Sequence, residues 1–132
     1  MQAMLAGRAK GEQLVLYIVD ADASVREALC RLAVASGFGA RAFTSIEQFA
    51  TELEPNGKGC VLLDSSLVRS ARALRETMRR RYLEWPVIVL CAGADEAARY
   101  EARAFGADFL LHKPVDAQAL FDSIAWVTDE KK

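Results

Sequence analysis

Four residues with chemical potential stand just past apolar runs of this chain: Asp20, Asp64, Cys91 and Lys113. Two are carboxylic acids, one is a thiol, and one is a lysine followed by a proline. Carboxylates crowded together repel unless a cation or a proton intervenes. A pair of them gathered at one place therefore suggests a hard divalent ion with oxygen ligands, Mg²⁺ foremost. A lysine beside them neutralises charge and holds a phosphoryl oxygen as a point charge. A carboxylate supported in this way is suited to accept a phosphoryl group and become an aspartyl phosphate. A hydroxyl at the fourth place would bond that phosphoryl group, but Cys91 offers only a weak donor there.

These residues can act together only if secondary structure brings them to one place. Leu14–Val19 is a six-residue apolar run rich in β-formers, which suits a strand buried on both faces of a parallel sheet. Further strands are predicted at Ala40–Phe43, Cys60–Leu63, Val87–Leu90 and Phe109–Leu111. Between them lie helical signals. Ser24–Glu27 and Ser45–Gln48 have the form of capping boxes, and each precedes apolar residues at helical spacing. Leu67, Ala71, Leu74 and Met78 mark one face of a third helix. A fourth runs from Asp95 to Phe105 with Gly106 as its stop, and Asp116 caps a fifth bearing Leu120 and Ile124.

This alternation predicts an α/β fold of the (βα)5 kind, with right-handed crossovers and helices on both faces of a parallel sheet. Five strands suit the flavodoxin-like order 2-1-3-4-5, whose working site lies at the carboxyl ends of the strands near the switch in strand order. All four residues fall at strand ends, so the topology makes them converge. The folded unit is expected over residues 14–127, between a leader at 1–13 and a polar tail or linker at 128–132.

Ile18-Val-Asp20, Leu62-Leu-Asp64, Gly106-Ala107 and Lys113-Pro114, taken together, resemble the response-regulator receiver of two-component signalling. The resemblance covers about Leu14 to Val127. It implies Asp64 as phosphoacceptor, Asp20 as an acid of the metal site and Lys113 as the phosphoryl-contacting lysine. It implies a cis bond before Pro114 and a metal contact from the backbone carbonyl of Ser66. It further implies a sensor histidine kinase or phosphotransfer protein as partner, and a role in signalling rather than as an enzyme.

The chain departs from the family's pattern at four places. The second of two adjacent acids is Ala21, with Asp22 the nearest acid to compensate, so Mg²⁺ binding is expected to be weak or absent. Cys91 replaces the hydroxyl residue after strand four. Leu110 replaces the switch aromatic, and Val68 a proline. A receiver lacking these parts could also serve as an interaction module that ignores phosphorylation. A remoter reading takes Tyr17–Ser24 as the first motif of a haloacid-dehalogenase-type phosphatase, with Asp20 as nucleophile. The short chain and the missing late acidic pair speak against it.

Tyr100 and Trp126 lie off the apolar faces of the fourth and fifth helices, and exposed aromatics tend to mark partner surfaces. In the family, the face of helix four, strand five and helix five carries dimer and output contacts, which points to a homodimer there. His112 is read as a solvent-facing strand-end residue, and the arginines at 69, 72, 75 and 79 as a solvated helix face. Seventeen basic against eighteen acidic residues give a net charge of -1, so bulk charge provides no reason to expect a nucleic-acid or membrane-surface binder. No apolar run approaches the ~20 residues of a membrane span, and no signal peptide is visible, so the cytoplasm is expected. Three dispersed cysteines argue against a disulfide framework or a zinc site.

Overall fold

In the computed structural model, residues 13–52, 57–73, 75–76, 84–93 and 95–128 are described. Strand β1 (Val15–Val19) leads into helix α1 (Ala23–Ala35), then β2 (Gly39–Phe43) and α2 (Ile46–Glu52). Strand β3 (Gly59–Asp64) is followed by a 3₁₀ turn at Ser65–Leu67. Strand β4 (Val87–Ala92), helix α3 (Glu96–Phe105), strand β5 (Phe109–Lys113) and helix α4 (Ala117–Thr128) complete the order. The fourth and fifth helices of the sequence reading are thus α3 and α4. Of the third helix's markers, Leu67 and Ala71 are described, and Arg75 donates its amide to the Ala71 carbonyl at 3.0 Å. Leu74, Met78, Arg79 and nearly all of the leader and tail lie outside the described residues.

The sheet has the order β2-β1-β3-β4-β5, and every neighbouring pair is parallel. Successive side chains of each strand alternate between its faces, which sorts the core into two clusters. On one face, Tyr17, Val19, Val61 and Leu63 pack with Phe49 of α2 and Ala102 of α3. On the other, Leu16, Ile18 and Leu62 pack with Leu29 of α1 and with Leu120 and Ile124 of α4. Every residue of β3 is buried, as a central strand covered by helices on both sides should be. At its start the chain needs a glycine, because a Cβ on Gly59 would stand 2.7 Å from the Trp85 ring.

Two details differ from the sequence reading. The strands carrying the candidate site are longer than expected, so Asp64, Cys91 and Lys113 lie within β3, β4 and β5 rather than beyond them. The first capping box is also displaced. The N-cap of α1 is Asp22, not Ser24, and its Oδ1 accepts the amides of Ser24 at 2.8 Å and Val25 at 3.3 Å. The aspartate won because the helix starts two residues earlier, where its short side chain reaches both free amides. The second box forms by half: the Ser45 hydroxyl accepts the Gln48 amide at 3.1 Å, while the Gln48 side chain accepts the amide of Thr44 at 2.8 Å rather than that of Ser45.

Candidate functional site

The order of the sheet changes direction between β1 and β3, since β2 lies on the far side of β1. At that switch point the chain leaves β1 through Asp20, and β3 ends on Asp64. Because Val19 pairs with Leu63, the next residue of each strand brings the two carboxyl groups to one edge. Lys113 ends β5 two strands away, and its long stem reaches back across the end of β4.

The ammonium of Lys113 lies 2.9 Å from Oδ2 of Asp20 and 3.2 Å from Oδ1 of Asp64. Such charge-assisted bonds are the stronger kind. Asp20 is 1% exposed and Asp64 is 9% exposed, so much of the water that would screen the cluster is excluded. Burial alone would lower the pKa of Lys113. The hydrogen bond to Asp20 and the charge of Asp64 outweigh it and hold the ammonium above its ordinary value.

Asp20 is fixed from three sides. Its amide donates to the Phe43 carbonyl at 3.1 Å, its carbonyl accepts Nη1 of Arg26 at 2.8 Å, and its Oδ1 accepts the Asp22 amide at 2.9 Å. The role of Arg26 was not legible in the sequence, where an arginine in the first turns of a helix carries no special signal. Asp64 is held by Ser66, whose hydroxyl donates to Oδ2 at 2.8 Å and whose amide donates to Oδ1 at 3.4 Å. The sequence had singled out Ser66 only for its carbonyl.

The remaining candidates divide into those near this cluster and those away from it. Cys91 is 1% exposed, and burial pushes its thiol up against the opposing pull of Arg99 and of a Ser65 side-chain hydrogen bond. Leu110 packs half-buried against the first core cluster, and Val68 is buried. The Lys113–Pro114 bond is cis. Asp22 contributes its backbone amide to the site, while its carboxyl Oδ1 caps α1. His112 is exposed, and its ring nitrogens lie 3.1 Å from Nη1 of Arg99 and 3.1 Å from the Gly93 carbonyl. Tyr100 on α3 and Trp126 on α4 are 70% and 59% exposed.

Asp20 and Asp64 supply two carboxylates at one edge, oxygen ligands of the kind a hard divalent ion takes. Among the described residues, no group of three His, Cys, Asp or Glu side chains is placed to hold a metal, so Asp22 does not join Asp20 and Asp64 in one. The ammonium of Lys113 already bridges the two acids that are present. Beside the cluster a groove of about 300 Å³ runs between α1 and the start of the chain after β5, lined by Val25, Leu29, Lys113, Pro114 and Val115 among others. Among the described residues, no helix is long and apolar enough to cross a membrane.

A doubly wound, flavodoxin-like sheet with two acids and a lysine at its switch point defines the receiver class of signalling domain. The chain belongs to the response regulator receiver domain family, whose pattern matches residues 16–125. It is 31% identical over 125 residues to the transcriptional regulatory protein TdiR of Thauera aromatica, covering 94% of this chain and 53% of that protein. It is 27% identical over 106 residues to the transcriptional regulatory protein FixJ of Bradyrhizobium diazoefficiens, covering 80% of this chain and 52% of that one. The chain therefore spans about half the length of the curated relatives it matches. A crystal structure of a response regulator receiver protein from Burkholderia phymatum superposes with a TM-score of 0.71 at 30% identity, over 88% of this chain and 94% of that one. The phosphatase-like reading of Asp20 is set aside by this membership.

Proposed function

We propose that the domain receives a phosphoryl group on Asp64 from a sensor histidine kinase or a phosphotransfer protein, and passes the signal on through protein contacts. Receivers of this family act in two-component signalling and are phosphorylated on an aspartate. The observation that carries the assignment to Asp64 is the bridge of Lys113 between Asp64 and Asp20 at the switch point. Asp64 is the more accessible of the two acids, at 9% against 1% exposure. The groove beside Pro114 offers an approach for the donor's surface.

Receivers generally bind Mg²⁺ at the acidic pocket. Here we expect that affinity to be weak, because Ala21 removes one acid and cation affinity follows the number and charge of the ligands. When bound, the ion would neutralise charge between the carboxylates and the incoming phosphoryl group. The chain's own part is to hold Asp64 by Ser66 and Lys113 and to exclude water from Asp20. Output is assigned to the surface of α3, β5 and α4, where Tyr100 and Trp126 would contact a second copy or a target.

A second reading is favoured by Ala21, Cys91 and Leu110 together: a domain that binds its partners whether or not it is phosphorylated. Intact-mass analysis after incubation with acetyl phosphate, with and without Mg²⁺, separates the two. One phosphoryl adduct in the wild type and none in Asp64→Asn is the expected result. No adduct in the wild type would transfer the assignment to the second reading.

A further inference from the structure

Two positions beside Asp64 differ in what they can offer a phosphoryl group. At the end of β4, Cys91 is 1% exposed, and its thiol is at best a weak donor. In the turn after β3, Ser66 is exposed, and its hydroxyl lies 2.8 Å from the acceptor's Oδ2. The Ser66 amide approaches the other oxygen, Oδ1, at 3.4 Å, so the residue clasps the carboxyl group from its own backbone outward. An exposed serine hydroxyl turns about one torsion and keeps its proton while changing acceptor.

We infer that Ser66 supplies the hydroxyl that the end of β4 lacks. This rests on Asp64 being the phosphoacceptor and adds a donor to that same site. In the resting domain the Ser66 hydroxyl orients the Asp64 carboxylate. During transfer from an acyl phosphate, a carboxylate oxygen of Asp64 attacks phosphorus and a new P–O bond forms. The bond from phosphorus to the donor's acyl oxygen breaks, and that oxygen leaves with the electron pair as a carboxylate. Ser66 moves its hydrogen bond from the carboxylate to a phosphoryl oxygen as charge gathers there, and no proton changes owner. Donors aimed at charge that develops in the transition state are the ones that accelerate a step.

The test follows the rate of adduct formation with acetyl phosphate by intact mass, in wild type, Asp64→Asn, Ser66→Ala, Ser66→Thr and the double variant Ser66→Ala/Cys91→Ser. Circular dichroism and thermal melts confirm that each is folded. Ser66→Ala is expected to label about tenfold more slowly or worse, the size of a lost hydrogen bond to a charged group. Ser66→Thr should keep most of the rate, and Cys91→Ser should restore much of what Ser66→Ala loses, since it returns a hydroxyl to β4. A Ser66→Ala protein that labels at the wild-type rate overturns the inference, as does a Ser66→Thr protein no faster than Ser66→Ala or a double variant with no recovery. If the wild type itself takes up no phosphoryl group, the phosphoacceptor assignment and this inference fail together. Wild-type labelling that is lost in Asp64→Asn but indifferent to Ser66 removes this inference alone.

Discussion

Lys113 and Asp20 meet at 2.9 Å across 93 residues of sequence, which ties the end of β5 to the end of β1. An aspartate that is 1% exposed owes its tolerable burial to this cation and to its amide bonds. Lys113→Met should therefore lower stability at neutral pH by about 2 kcal/mol, read from urea unfolding, because it leaves two carboxyl groups together without their cation. The folded-state pKa of Lys113 is raised, so its contribution is complete below the unfolded value of about 10.4 and is lost as pH rises through the folded one. The gap between wild type and Lys113→Met should accordingly hold through neutral pH and narrow only in strong alkali. A gap that closed near pH 8 would contradict the bridge.

Asp22 is expected to matter for helix stability first. Its carboxyl group accepts two amides at the start of α1. Asp22→Ala should cost about 1 kcal/mol, and Asp22→Ser should recover most of it. Denaturant midpoints at constant slope measure both. Equal losses in the two variants would mean that the carboxylate acts elsewhere.

The missing acid can be put back. Ala21 is exposed beside Asp20, so an acidic side chain there is free of packing clashes in the core. Ala21→Asp should raise Mg²⁺ affinity about tenfold or more, since it adds a charged ligand to the two already present. Titration calorimetry, or the shift of the melting temperature with added Mg²⁺, reads the change. Unchanged affinity would show that Lys113, not the absent acid, sets the limit.

Cys60 makes a prediction about alkaline pH that is separate from the site. Burial in the second core cluster, with the nearby charge of Asp108 adding to it, pushes its thiol up from 9.0 to about 12. The unfolded chain releases this proton first, so stability is lost as pH rises from about 9 towards the folded value. The slope should approach about 1.4 kcal/mol per pH unit, and Cys60→Val should lose that slope. Identical alkaline profiles for the two proteins would rule the burial effect out.

Tyr100→Ala and Trp126→Ala together should weaken self-association or partner capture without lowering stability by more than about 0.5 kcal/mol, as suits exposed positions. Sedimentation velocity at several concentrations decides it. No change in assembly in the double variant would remove the α3–β5–α4 surface from consideration as a contact.

The sheet was readable in the sequence because its strands are short apolar runs between strong stop signals. Asp95 and Gly106 bracket α3 as their types suggest, the first capping with its side chain and the second turning at a φ of 97°. The meeting of Asp20, Asp64 and Lys113 was legible for the same reason, since strand order alone carries three distant residues to one edge. What the sequence concealed were contacts set by side-chain direction. Nothing in the order of residues tells that Asp22 turns towards its own helix, that Arg26 reaches back to the Asp20 carbonyl, or that the Ser66 hydroxyl faces Asp64. Each depends on a torsion of a few atoms that spacing does not encode.

The ring of Trp85 stacks on Tyr17 at 4.6 Å and is 7% exposed, whereas Trp126 is 59% exposed on α4. Both tryptophans of the chain thus serve as built-in optical probes for different events. Emission from the first is shielded from dissolved quenchers and follows the melting of the sheet. Emission from the second is open to iodide or acrylamide and follows whatever comes to rest on α4. A single fluorescence cuvette can therefore distinguish a change at the surface of α4 from a loss of the fold.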